Sequence, residues 1–203
     1  AQMLNNNSVM IFPYIEPHLM HWPMPPGVST TWESLHASVQ ACANNQTMCS
    51  GKQNHAGAKA ILNNAAVDAG GRWIFAVERE QWNQGAMLFA GLDPSTLSDP
   101  TSRASLSLAS VQRAYVDATL GGYQISGEYI DSTLGFDGAF CGYVDFRDSS
   151  LASTQHPAIF DSNGRVGVLL AQSSFSFLKV VAEMLHGREQ YLMGNALWVH
   201  GTP

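Results

Sequence analysis

The stretch Gly121-Gly122-Tyr123-Gln124-Ile125-Ser126-Gly127-Glu128-Tyr129-Ile130-Asp131-Ser132 decides how this chain is read. A helical pattern stops at the glycine pair, a strand-like run follows, and that run ends in carboxylates ahead of a long aromatic segment. Two further runs end the same way: Ile11-Phe12-Pro13-Tyr14-Ile15-Glu16 and Arg72-Trp73-Ile74-Phe75-Ala76-Val77-Glu78. In a parallel α/β protein the carboxyl ends of strands are where chemistry is assembled, because successive βα-loops converge there.

Outward from that stretch, the pattern alternates. Ser8 to Ile15 reads as a buried strand, followed by a proline-rich loop, Trp22-Pro23-Met24-Pro25-Pro26-Gly27. Thr30 and Glu33 have capping-box spacing, with Trp32, Leu35, His36 and Val39 at helical intervals after them. An alanine-rich helix spans 56–69 and stops at Gly70-Gly71; a strand follows over 72–78. The segment 79–100 reads as a loop with a short helix. Thr101 or Ser102 then caps a helix running to Gly121, and a strand runs from Tyr123 to Asp131. A loop extends to Arg165, too long for a plain connector. A last helix starts at Ser173 or Ser174, and Gln190 to Val199 reads as a final strand. Crossovers of this length suit parallel pairing. No internal repeat or low-complexity linker divides the chain, so residues 1–203 form a single α/β domain in this reading.

Composition narrows the function. Of 203 residues, 45% are hydrophobic, enough for one sizeable core. Only 13% are charged, against about 25% in ordinary soluble domains, and the net charge is -6. Lysine is limited to Lys52, Lys59 and Lys179, so no basic stripe exists to follow a phosphate backbone, and a nucleic-acid partner is not expected. No apolar run reaches the about 18 residues of a membrane span. The first residues, Ala1 to Asn5, do not read as a signal peptide. Cys42 and Cys49 bracket a short polar segment able to close as a disulfide loop, and Cys141 is left over as a buried hydrophobe. Asn45-Gln46-Thr47 inside that loop and Asn6-Asn7-Ser8 are glycosylation acceptor patterns. Together these features predict a secreted, disulfide-bonded glycoprotein.

The candidate chemistry sits at the strand ends. Asp131 is the first catalytic candidate, with Glu16 or Glu78 as its partner. Hydrolysis of a glycosidic bond needs two carboxylates roughly 5 to 10 Å apart, and neighbouring strands about 4.8 Å apart supply that spacing. Glu128 lies three residues before Asp131, so by alternation it faces the other way unless the strand has ended or bulged. The plain alternative for Asp131 is a turn cap. His18, His21 and Trp22 after Glu16 suit a sugar-binding subsite, the indole stacking on a ring face; a packed loop is the competing reading. Two histidines without a second ligand cluster do not define a metal site, and no cofactor motif is present, neither a phosphate-binding loop nor a dinucleotide fingerprint. Asp145 and Arg147 in the long loop and Asn195 on the final strand are further candidates for binding substrate.

Tyr14-Ile15-Glu16-Pro17-His18, Gly127-Glu128-Tyr129-Ile130-Asp131-Ser132 and Tyr143-Val144-Asp145-Phe146-Arg147, with the helix after Gln172, resemble part of the (β/α)-barrel found in many glycoside hydrolases. Such a barrel needs eight units and about 250 residues, whereas this chain holds about four, so it is either a compact open-sheet domain or, as the resemblance implies, a partial TIM-like barrel. It also implies a carbohydrate ligand and, for an incomplete barrel with exposed strand edges, another chain to cover them. Two functions follow as expectations: a secreted carbohydrate-active hydrolase, or a non-catalytic extracellular glycan-binding or assembly protein.

Overall fold

The computed structural model describes residues 12–80, 83–116, 125–131, 142–147 and 157–194. Its elements in chain order are β1 (Tyr14–Ile15), β2 (Leu19–Pro23), α1 (Trp32–Asn44), α2 (His55–Asn64), β3 (Phe75–Glu80), β4 (Asn83–Phe89), α3 (Arg103–Val116), β5 (Gly127–Ile130), β6 (Val144–Asp145), β7 (Ile159–Phe160), β8 (Val166–Leu169), α4 (Leu170–His186) and β9 (Tyr191–Gly194). Two 3-10 turns, Gln46–Met48 and Pro94–Thr96, complete them.

The strands form three separate three-stranded sheets: β1-β5-β9, β2-β4-β3 and β6-β8-β7. Only the first is parallel. The partial TIM-like barrel expected from sequence is therefore overturned, because no closed parallel sheet exists among the described residues. The decisive difference lies at the strand expected over 72–78. Glu80 pairs with Asn83, which leaves two residues between β3 and β4. A parallel return needs a crossover of about a dozen residues, so a connection this short gives an antiparallel pair. The supposed loop 79–100 thus contains a central strand. The supposed proline-rich loop likewise supplies β2, with Pro23 at its end, where a missing N–H is tolerated.

Helix α1 starts one residue later than its expected cap. Thr31 accepts from the Ser34 amide at 3.3 Å, while the Ser34 hydroxyl takes the Thr31 amide at 3.0 Å, closing a capping box. Leu35, Val39, Cys42 and Ala43 form its buried stripe. Helix α2 ends at Asn64, short of the expected 69, because the chain after it is drawn into sheet pairing: Ala65 bridges Ala90 and Val67 bridges Trp73. Both helices cover the β2-β4-β3 sheet through Met20, Trp22, Leu35, Val39, Ile61 and Leu88. A second core joins α3 and α4 to the parallel sheet through Leu92, Val111, Ile125, Ile130, Phe177 and Val181. Full burial of each such side chain contributes about 1.5–3 kcal/mol.

Cys42 and Cys49 are bonded as expected, stapling the end of α1 to the 3-10 turn after it. Among the described residues no helix is long and apolar enough to cross a membrane. Cys141 and Asn6 lie outside the described residues.

Candidate functional site

Strands β1 and β5 run side by side with Tyr14 opposite Tyr129 and Ile15 opposite Ile130. The next residues in that register are Glu16 and Asp131, so the two carboxylates leave neighbouring parallel strands at the same end. The Asp131 amide still donates to the Ile15 carbonyl at 2.9 Å, which locks the register at this point. Tyr14, two residues before Glu16, shares its face by strand alternation. Its ring stacks on Tyr129 at 5.8 Å. The Tyr14 hydroxyl lies 2.6 Å from Glu16 Oε1 and 2.7 Å from Asp131 Oδ2. Two such contacts on one oxygen place the carboxylate oxygens no more than 5.3 Å apart.

The network continues into the antiparallel sheet. His21 Nε2 lies 3.1 Å from Glu16 Oε2, and His21 Nδ1 lies 3.2 Å from Glu78 Oε2. The sheet register explains how a residue on β3 reaches one on β2 across the central strand. Pro23, Gly85 and Glu78 share one row, and His21, Met87 and Ala76 the row two residues away. Glu78 and His21 therefore face the same side of the sheet. The result is one chain of contacts: Asp131, Tyr14, Glu16, His21, Glu78.

Hydrogen counting shows what this chain can do. A phenol has one proton, yet Tyr14 meets two carboxylates; an imidazole meeting a carboxylate at each nitrogen satisfies both only as imidazolium. Four links need four hydrogens. Tyrosine supplies one and the imidazolium two, so every link closes only when one carboxyl carries the fourth. Partial burial and the hydrogen bonds to Glu16 and Asp131 raise the Tyr14 pKa above its usual value, which keeps the phenol a donor. Grooves open beside Glu16 and beside Glu78. One, of about 350 Å³, is lined by Glu16, Arg103, Ser107, Ser110 and Arg113; the other, of about 390 Å³, by Glu78, Gln84, Ser29 and Thr30.

The remaining sequence candidates lie elsewhere. Glu128 is fully buried, consistent with alternation away from Asp131. His18 is also fully buried; burial first, and then the Arg103 charge, lower its pKa to about 4, so it is neutral at physiological pH. Trp22 is 2% exposed, packs in the core and donates its indole N–H to Ser38 Oγ at 3.1 Å, so it offers no face to a sugar. Asp145 is a structural staple: Oδ1 takes the amides of Val67 and Arg147, each at 3.0 Å, while Arg147 holds Asp145 at 3.3 Å and the Asn63 carbonyl at 3.0 Å. Asn45 caps the 3-10 turn, its oxygen accepting from the Thr47 amide and hydroxyl, and it is exposed. Asn195 lies outside the described residues.

Sequence reading passed over Tyr14, treated only as a strand hydrophobe, although its two-residue offset from Glu16 already put both on one face. Among the described residues no group of three or more His, Cys, Asp or Glu is arranged to hold a metal ion. No family model matches this chain, and neither a curated protein nor a solved structure matches it. With three small sheets in place of a barrel, the fold does not support the resemblance to glycoside hydrolase barrels.

Proposed function

We propose that this chain is a secreted hydrolase acting on carbohydrate, with Asp131 and Glu16 as the working carboxylate pair. The observation that carries the reading is the tyrosine bridge, which holds the two carboxylate oxygens within 5.3 Å. A nucleophile and an acid that work by double displacement stand close together across one glycosidic bond, their carboxyl groups about 5–5.5 Å apart, and two carboxylates that share one hydroxyl are a close pair of this kind. Glu16 gives its proton to the leaving oxygen and, as the carboxylate, then takes one from the water that attacks the glycosyl ester, while His21, backed by Glu78, holds its second oxygen. Asp131 is then the nucleophile, oriented by Tyr14, which gives up one of its two hydrogen bonds as substrate arrives. The grooves beside Glu16 and Glu78 take the flanking sugar hydroxyls. The Cys42–Cys49 bond and the exposed Asn45 acceptor support an extracellular setting.

The test is release of reducing ends from soluble glucan, xylan and mannan by the wild type and by Asp131→Asn and Glu16→Gln. Each variant should lose about 10²–10⁴-fold in turnover with its melting curve retained. Undiminished turnover in both folded variants removes the pair from the reaction, and an inactive wild type across the panel removes the reading. The second reading, a non-catalytic glycan-binding or assembly protein, draws support from Tyr191 and Met193. These stand 60% and 45% exposed on β9.

A further inference from the structure

Arg103 opens helix α3, and Ser102 caps the helix by taking the Ser105 amide at 3.1 Å. The guanidinium turns away from the helix onto the turn between β1 and β2. Nε donates to the Pro17 carbonyl at 2.5 Å, and Nη2 donates to the carbonyls of Glu16 at 3.1 Å and Leu19 at 2.8 Å. One planar fork therefore gathers three carbonyls of a four-residue turn. Ser107 adds a longer contact to the Pro17 carbonyl at 3.5 Å.

Helix stability alone does not favour this placement. A cation in the first turn opposes the helix dipole. Burial lowers the Arg103 pKa to about 10, so it stays charged at neutral pH, and among the described residues no carboxylate forms a salt bridge with it. What it holds is the turn that starts at Glu16 and leads into β2, two residues before His21; these two residues are the middle links of the contact chain.

We infer that Arg103 is a positioning residue, fixing the β1–β2 turn so that Glu16 and His21 meet at hydrogen-bonding distance. The assignment rests on the carboxylate-pair reading for its catalytic consequence, but not for its geometry. Lysine at this position keeps the charge and loses the fork, so it reaches fewer of the three carbonyls. A misplacement of about 1 Å in a catalytic group can cost about 10²-fold in rate.

Arg103→Met and Arg103→Lys, made in the full chain, are read in two ways. The ring ¹⁵N signals of His21 report whether both nitrogens remain hydrogen-bonded, independently of any substrate. Kinetics on the chromogenic aryl glycoside that the wild type cleaves fastest report the kcat and KM split. We expect the methionine variant to lose the wild-type His21 signature and about tenfold or more in kcat, with KM within about threefold. The lysine variant should fall between methionine and wild type. A folded methionine variant with wild-type His21 signals overturns the inference. If methionine prevents folding, the lysine variant decides it, and unchanged His21 signals there overturn it equally. A wild type that cleaves no glycoside defeats the functional reading, while the His21 signals still decide the role of Arg103.

Discussion

Replacing His18 should change how the stability of this protein depends on pH. The side chain is fully buried, and Arg103 binds the carbonyls on both sides of it. Burial and the Arg103 charge lower the pKa from 6.5 to about 4, while Asp131 pulls weakly the other way. The folded protein thus binds this proton less tightly than the unfolded chain. Above about pH 6.5 neither state is protonated here, and the penalty is absent. As pH falls toward 4, the unfolded chain takes up a proton that the folded protein refuses, and stability is lost. At about 1.4 kcal/mol for each tenfold in affinity, the interval from 6.5 to about 4 corresponds to about 3 kcal/mol. That is a large part of the roughly 5–15 kcal/mol that holds a domain folded. Urea denaturation at steps from pH 7.5 to 4 would measure it in the wild type, His18→Leu and His18→Gln. Acid-sensitive carboxylates act on all three, so the difference in slope isolates His18. The wild type should lose about 3 kcal/mol more than either variant over this interval. Parallel curves would refute the burial argument, even if the variants start from lower stability.

Two further predictions concern the scaffold. Reducing the Cys42–Cys49 bond, or replacing both residues by serine, should lower stability by about 2–3 kcal/mol, the loop-closure entropy of so short a ring; a melting temperature indifferent to reductant would contradict it. Gly85→Ala should destabilise by about 1–3 kcal/mol or more, because a Cβ there runs into the Trp22 carbonyl and lies 2.9 Å from both Met24 N and Pro23 Cα. Thermal melts measure that loss, and a variant as stable as the wild type would show that β2 can draw back without cost.

Much of the parallel sheet was legible. Glu16 and Asp131 lie at equivalent ends of strands that alternation and the Gly121-Gly122 stop had already marked. The antiparallel sheet was not. Asn83 to Phe89 carries a glycine and no β-branched residue, so its strand character comes from the two neighbours that flank it. Arg79 to Asn83 has no glycine or proline to announce a turn, so a hairpin looked like a loop. Glu78 was singled out as the end of a parallel strand, but it reaches His21 through an antiparallel one. Arg103 is one cation at the start of an amphipathic helix, and nothing in its neighbours tells that it reaches back to residues 16–19. Trp22 shows the opposite limit: an indole beside two histidines looks like a platform until packing buries it.

The two halves of the Asp131–Tyr14–Glu16–His21–Glu78 contact chain are closed over different lengths of sequence. His21 and Glu78 are 57 residues apart and belong to a unit whose strands all fall between Leu19 and Phe89. Tyr14 and Asp131 are 117 apart, and the sheet that joins them also recruits Tyr191 to Gly194. Distant pairings bear the larger loop-closure entropy and form later. During synthesis the histidine arm can therefore settle while the ribosome is still adding the residues that bring the aspartate. The Tyr14–Asp131 link closes only when β5 pairs with β1, so an immature chain carries the His21–Glu78 contact without its aspartate.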